Sequence, residues 1–327
     1  MSAERRRALI TGLTGQDGSF LAESLLDDDY EITGLVHADA GSDLGLAEPL
    51  RGRLNIVAGD LLVPDSLRAA VEKVQPDELF HLAAPTFVPE SWRHPAQTMS
   101  AIVVATATLL EAVRDLSPHT RVLVAGSGEM FGDARECPQR EETPCRPRTP
   151  YAVAKLAAHQ LVGQMRERDG LFVCSAIPFN HESERRPENF VTRKITRAAA
   201  AIKLGRADEL TLGDTRAMRD WSFAGDIMRG CRLMLAAETP GDYVLASGVG
   251  HTVQELLEAA FARVDLDPAD YVRTDPALVR APEAVPPIGD PGRARTELGW
   301  EPTLSFEQLV ARMVDADLRA LDSSGSA

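Results

Sequence analysis

Ala8-Leu9-Ile10-Thr11-Gly12-Leu13-Thr14-Gly15-Gln16-Asp17-Gly18-Ser19-Phe20-Leu21-Ala22 joins a short apolar run to the start of an amphipathic one through three glycines spaced three residues apart. The pattern predicts a strand over Ala8 to Thr11 and a helix opening near Ser19. Glycines at this spacing permit a tight turn, a close backbone approach to a diphosphate, and close packing of helix on strand. The helix N-terminus then presents its N–H groups and positive dipole end to the phosphates. Gly12, Thr14, Gly15, Gln16, Asp17 and Gly18 are therefore the expected dinucleotide contacts of this loop.

Outward from the loop, strands alternate with helical segments. Glu31 to Val36, Leu54 to Val57, Glu78 to Leu82, Arg121 to Ala125 and Leu171 to Ile177 read as strands, and Asp65 to Val74 and Ala101 to Arg114 have helical spacing. Alternation of this kind predicts an α/β chain with a Rossmann-type, doubly wound parallel sheet. Beyond Ile177 it breaks up, and a helical tail runs from about Ser305 to Leu321. The expected division is a cofactor-binding domain over residues 1–178, with segments returning near 219–247 and 286–297. Residues 179–327 would mainly form a smaller substrate-binding lobe.

Composition narrows the function classes. A formal net charge of −14 argues against nucleic acid or an anionic membrane as partner. No run of about 18 apolar residues stands out as a membrane span, and Arg5-Arg6-Arg7 is not followed by the apolar stretch of a signal peptide. The four cysteines stand in no metal-type spacing, so no metal is expected, and a cytoplasmic protein with free thiols is the reading.

At the end of the second strand, where an acid would favour NAD and an arginine NADP, His37 and Asp39 leave the choice of NAD(P) open. Asp60 and Leu61 after the third strand, and Leu82, Ala83 and Ala84 after the fourth, complete the expected cofactor contacts. Tyr151-Ala152-Val153-Ala154-Lys155 places a phenol and an ammonium one helical turn apart on one face. A tyrosine acting as a base near neutrality needs a downward shift of about 3 units, roughly 4 kcal/mol. Lys155 and a positive nicotinamide ring are the expected sources. Ser127 and Glu129 follow the fifth strand, where open α/β sheets bind ligands. Ser127 is placed to hold a hydroxyl under oxidation. Glu129 adds a base that alcohol oxidation alone does not need.

These segments together resemble the extended short-chain dehydrogenase/reductase superfamily over nearly the whole chain, and within it the GDP-mannose 4,6-dehydratases. The most specific stretches are Ile10 to Ser19, Phe179-Asn180-His181-Glu182-Ser183-Glu184-Arg185-Arg186, Asn189 to Lys194, Arg219-Asp220-Trp221 and the Arg280 to Asp290 region. The resemblance implies catalysis by Ser127, Glu129, Tyr151 and Lys155. It implies a GDP-linked nucleotide sugar, the substrate class of that family, held by Thr86, Ser127, Glu129, Asn180, Val191, Arg193, Lys194, Arg219 and Arg280. The reaction implied is oxidation at C4, loss of water across C5 and C6, and hydride return to C6. It also implies a homodimer built on helices near 95–114 and 151–168.

Three departures from the family pattern stand out. The arginine- and serine-rich loop after the second strand is missing, Gly128 replaces a polar residue, and Ile102 stands where many superfamily members keep asparagine. A reductase of 4-keto-6-deoxy nucleotide sugars and a non-catalytic cofactor-binding protein remain alternative readings at this stage.

Overall fold

The computed structural model describes residues 5–37, 43–275 and 285–323. These residues hold twelve strands: β1 (Arg7–Thr11), β2 (Glu31–Val36), β3 (Asn55–Ala58), β4 (Glu78–His81), β5 (Arg121–Ala125), β6 (Val173–Pro178), β7 (Asn180–Glu182), β8 (Leu210–Leu212), β9 (Met218–Phe223), β10 (Asp242–Leu245), β11 (Gly250–Thr252) and β12 (Val272–Thr274). Seven of them form one sheet in the order β10-β6-β5-β4-β1-β2-β3, with every neighbouring pair parallel. This is the doubly wound Rossmann-type sheet. The chain runs outward from β1 to β3, then crosses back to β4, so the crevice of the fold opens at the C-terminal ends of β1 and β4, where the connections leave toward opposite edges of the sheet. There Thr11 Oγ1 lies 2.8 Å from His81 Nδ1 and accepts from the Ala83 N–H at 3.2 Å.

Each face of the sheet is covered by helices whose apolar stripe explains their placement. On one side Leu21 and Leu25 of Gln16–Asp27 pack with Ile227, Met228 and Met234 of Ala224–Ala236. On the other, Leu67 and Val71 of Pro64–Val74 meet Leu109 and Val113 of Ala105–Leu116 and Val162 of Pro150–Asp169. The inner strands are buried on both faces, as parallel strands are, while the edge strand β3 is largely exposed.

The helical run Pro95–Leu116 is long and apolar enough, by length and composition alone, to cross a membrane. Its threonines and serines hid it from a count of strictly apolar residues. In the fold it is half buried, and Ala105, Leu109 and Val113 belong to the sheet-facing core.

A second core lies beside the sheet. Ile195, Trp221, Leu257, Phe261, Val310 and Val314 bring together the helices Val191–Lys203, Val253–Ala262 and Phe306–Ser323. A three-stranded sheet, β11-β9-β7, and the pair β12-β8 complete this region. Two buried carboxylates anchor it. Asp220 is fully buried and accepts the backbone N–H groups of Ser247, Gly248 and Gly289 at 2.8, 2.9 and 3.2 Å. Asp317, also fully buried, faces the Arg193 guanidinium at 2.9 Å and accepts from Thr196 Oγ1 at 2.8 Å.

The two cores are joined at the glycine loop. Arg185, in the turn after β7, donates to Ser19 Oγ at 2.9 Å and to both Glu23 carboxylate oxygens at 2.7 and 2.9 Å. Its guanidinium also lies 4.0 Å from the centre of the Phe20 ring. Ser183 Oγ donates to Gln16 Oε1 at 2.7 Å.

Candidate active site

The loop after β1 is shaped by its glycines. Gly12 has φ +79°, and a Cβ there would lie 2.8 Å from the Ala83 nitrogen; a Cβ on Gly18 would lie 2.2 Å from the Gly12 carbonyl oxygen. Both positions exclude a side chain for reasons internal to the fold. Gly15 is different, since a Cβ there would meet nothing of the chain closer than 3.5 Å. It precedes the helix Gln16–Asp27, whose N-terminus has no side-chain cap. The bare Gly15 and the uncapped N–H groups thus form a cradle for an anion. This set fits the diphosphate of a dinucleotide. At the far ends of β2 and β3, His37 Nε2 lies 3.1 Å from Asp60 Oδ2, so these two expected contacts are neighbours. Leu61 is half buried against the sheet core, Ala83 is half buried beside Gly12, and Ala84 packs against the cluster of Ile102 and Tyr151. Asp39 lies outside the described residues.

The second cluster forms at the C-terminal ends of β4, β5 and β6. A cleft of about 180 Å³ is lined by Asp17, Leu82, Thr86, Ser127, Glu129, Tyr151, Lys155 and Asn180, all read from the sequence as site residues. Thr149 caps the helix Pro150–Asp169 by accepting the Ala152 N–H at 3.1 Å, and Pro150 occupies its first position. The cap fixes where the helix starts, and so where Tyr151 and Lys155 point. Tyr151 is hydrogen-bonded to Ser127. Ser127 Oγ also accepts the Glu129 N–H at 3.2 Å, which shapes the short turn Gly128–Met130. Lys155 Nζ donates to the Ala125 carbonyl at 2.6 Å and lies 5.9 Å from the centre of the Tyr151 ring.

The electrostatics correct one expectation. Tyr151 is 7 % exposed, and burial pushes its phenol up to about 12, with the Glu129 charge adding and the Ser127 hydrogen bond opposing. The chain's own groups therefore keep the phenol protonated rather than easing it toward neutrality. Lys155 does not supply the downward shift by itself: burial holds its ammonium down at about 8.

Both remaining departures from the family pattern have a structural setting. Ile102 sits in the π-helical turn Ser100–Val104 and packs against Tyr151, Ala154 and Ala158. A Cβ on Gly128 would lie 3.2 Å from the Phe179 ring, which occupies the space a polar side chain would need.

Several expected substrate contacts are not brought into the cleft. Arg193 is turned inward to Asp317. Lys194 Nζ donates to the Thr211 carbonyl at 2.7 Å, Arg219 donates to the Met218 carbonyl at 2.6 Å, and Val191 begins its helix on the exposed side. Arg280 lies outside the described residues. Conversely, His181, Arg186, Arg148 and Gln139 line the cleft although the sequence reading gave them no role. Arg186 lies against the Phe190 ring at 3.6 Å and pairs with the buried Glu182 at 3.2 Å. The Glu182-x-x-x-Arg186 spacing was the available signal.

With this geometry in view, the relationships of the chain are informative. A profile of the GDP-mannose 4,6 dehydratase family matches residues 9–313. The chain belongs to this family. Among its members, GDP-mannose 4,6 dehydratase 2 of Arabidopsis thaliana is 43% identical over 326 residues, covering 96% of this chain and 87% of that one. The GDP-mannose 4,6-dehydratase of Yersinia enterocolitica is 38% identical over 350 residues, covering 96% and 94%. Among solved structures, RMD from Pseudomonas aeruginosa complexed with NADPH superposes with a TM-score of 0.80 at 27% identity over 96% of this chain and 99% of that one.

Proposed function

We propose that the chain is a nicotinamide-dependent nucleotide-sugar dehydratase that converts GDP-mannose to GDP-4-keto-6-deoxymannose. The observation that carries the reading is the joining of Tyr151, Lys155, Ser127 and Glu129 around one cleft. It is supported by the 43% identity to a plant GDP-mannose 4,6 dehydratase. Gly12, Thr14, Gly15, Gln16 and Gly18 would hold the diphosphate of the dinucleotide, and His37 and Asp60 its adenosine half. When bound, the nicotinamide supplies a hydride acceptor and then a hydride donor, so the cycle closes without net redox change.

The chain's own residues handle the protons. Ser127 orients the C4 hydroxyl, and Tyr151, its phenol brought down from its buried value beside a positively charged nicotinamide, would take that hydroxyl's proton as C4 becomes a ketone. The ketone acidifies C5, and the Glu129 carboxylate removes the C5 proton. Residue 128 is glycine and brings no donor, so the Glu129 carboxyl is the acid that returns a proton to the departing C6 hydroxyl, which leaves as water; C5 recovers a proton from solvent by way of Glu129 as C6 is reduced, and Tyr151 gives up to solvent the proton it took from the C4 hydroxyl. Asn180 and Thr86 line the sugar side of the cleft, and Arg186 adds a cation suited to a phosphate.

The reading divides the chain into a dinucleotide-binding domain and a nucleotide-sugar lobe. It makes the protein a homodimer, supported by the exposed Val104 and Val153 on the helical run Pro95–Leu116 and the helix Pro150–Asp169. It places the protein in the cytoplasm, supported by four unpaired thiols.

The test is incubation of the purified protein with GDP-mannose and NAD⁺ or NADP⁺, following sugar-nucleotide mass and nicotinamide absorbance together. Loss of one water without accumulation of reduced cofactor is expected. An unchanged GDP-mannose, with turnover of the 4-keto-6-deoxy sugar at the cost of stoichiometric NADPH, would replace the dehydratase reading with a reductase.

A further inference from the structure

The glycine loop carries a carboxylate where an anion is to bind. Asp17 stands in the first turn of the helix Gln16–Asp27, two residues after Gly15, and lines the catalytic cleft. A negative side chain is at home near a helix N-terminus, but it repels an incoming diphosphate at that same terminus. Its partner is on the other core. His181 Nε2 lies 3.0 Å from Asp17 Oδ2, and His181 Nδ1 lies 2.8 Å from the Phe179 carbonyl oxygen. Both ring nitrogens therefore face oxygens that only accept. A carbonyl needs a proton on Nδ1, and a neutral ring would then turn the Nε2 lone pair against the carboxylate. The arrangement is satisfied by the imidazolium.

The surroundings agree with a charged ring. Burial opposes the charge, but the Asp17 charge and hydrogen bond outweigh it and raise His181, while the same contact holds Asp17 down at about 2. The groups facing the pair are Gln16 on the helix itself, Tyr151 and Lys155 from the helix Pro150–Asp169, Glu129 from the turn after β5, Arg186 from the turn after β7, and the buried Cys231 thiol from Ala224–Ala236. Gln16 Nε2 donates to Asp17 Oδ1 and to the His181 carbonyl, each at 3.2 Å, which fixes the carboxylate relative to β7.

The geometry points to Asp17 and His181 as a positioning ion pair that sets how tightly the cleft holds its dinucleotide: the imidazolium cancels the loop carboxylate and ties the loop to the second core. While His181 keeps its proton, the helix N-terminus receives a diphosphate without opposition from Asp17. When the ring loses that proton, the uncovered carboxylate weakens the hold. His181 touches neither the reacting sugar carbons nor their protons in this role; it acts through Asp17.

The experiment titrates NAD⁺ and NADP⁺ separately into the native protein, His181→Gln, Asp17→Asn and the double variant, by calorimetry across a range of pH. Native affinity is expected to fall as pH rises above neutrality through the raised His181 pKa. His181→Gln keeps a hydrogen-bond donor but no charge, and is expected to bind about tenfold more weakly near neutrality with little pH dependence. The double variant, uncharged on both sides, is expected to return to within about threefold of native, which a structural defect alone would not do. Should His181→Gln fail to fold, Asp17→Asn alone decides: it is expected to bind at least as tightly as native, with the pH dependence gone. Native-like binding by His181→Gln, a double variant as weak as His181→Gln, or loosened binding by Asp17→Asn would each overturn the proposal. So would ¹⁵N shifts showing a neutral His181 ring at neutral pH.

Discussion

Replacing Arg193 with methionine removes the cationic half of an ion pair whose other half, Asp317, has no exposed surface. What remains is a buried carboxylate with one hydrogen bond, from Thr196 Oγ1 at 2.8 Å. Breaking a buried pair from one side costs about 3–5 kcal/mol, because the partner charge is left uncompensated. For 327 residues the unfolding entropy near the transition is about 0.7 kcal/mol/K, so the melting temperature is expected to drop by about 4–7 °C. Burial already raises the Asp317 carboxyl and Arg193 restrains it, so the variant raises it further. A carboxyl raised on folding destabilises the protein above its folded pKa. The deficit is therefore greatest near neutrality and shrinks as pH falls through that pKa. Calorimetry at several pH values, with GDP-mannose kinetics on the same samples, measures both. Adding Asp317→Leu is expected to recover most of the loss, since an apolar pair of similar volume suits the site. A melting temperature within about 1 °C of native, together with a raised KM for the nucleotide sugar, would refute the structural assignment and put Arg193 on the diphosphate.

Glu129→Gln keeps the shape of the carboxyl but accepts no proton, so dehydration is expected to fall by about 10²–10⁴-fold with cofactor affinity unchanged; full activity would remove Glu129 from the chemistry. Comparing native protein with Tyr151→Phe by tyrosinate absorbance, the missing step is expected near pH 12 without cofactor and lower with NAD⁺ or NADP⁺ bound; a step near neutrality in the protein alone would refute the burial argument. The Lys155 ammonium is held down at about 8, so activity that depends on its charge is expected to decline as pH rises through that value, and Lys155→Met to be slow throughout. Gly15→Ala is expected to leave the melting temperature almost unchanged while weakening the dinucleotide by calorimetry. Gly18→Ala, whose Cβ would sit 2.2 Å from the Gly12 carbonyl, is expected to lower the melting temperature itself; equal effects of the two on stability would refute the distinction.

What the sequence made legible is what local geometry imposes. Gly12 and Gly18 are dictated by a left-handed φ and a close backbone contact, and Tyr151 and Lys155 by the pitch of a helix, so each could be read within a few residues. The first six strands announced themselves by apolar runs, whereas Asp242–Leu245, no shorter than β3 or β4, takes its strand identity from pairing with β6. The charged residues were legible only in part. Asp17 meets His181 across 164 positions and Arg193 meets Asp317 across 124, and no spacing rule spans such distances. An arginine in a run that resembles a binding motif looks the same whether it faces a ligand or a buried carboxylate. Likewise Tyr151 was recognisable as a residue, but the direction of its shift depends on burial by Ile102 and its neighbours.

The Arg185 clasp has a kinetic consequence. One guanidinium grips Ser19 and Glu23 and lies on Phe20, so the helix behind the glycine loop cannot swing away from the second core unless those contacts part together. In the proposed cycle a dinucleotide released at mid-turnover would strand a half-finished sugar. A bracket of this kind lengthens the residence of the dinucleotide relative to one turnover, so that it serves as a built-in part rather than a traded reagent. Throughput then follows the supply of sugar nucleotide and becomes insensitive to the ratio of oxidised to reduced dinucleotide in the surroundings.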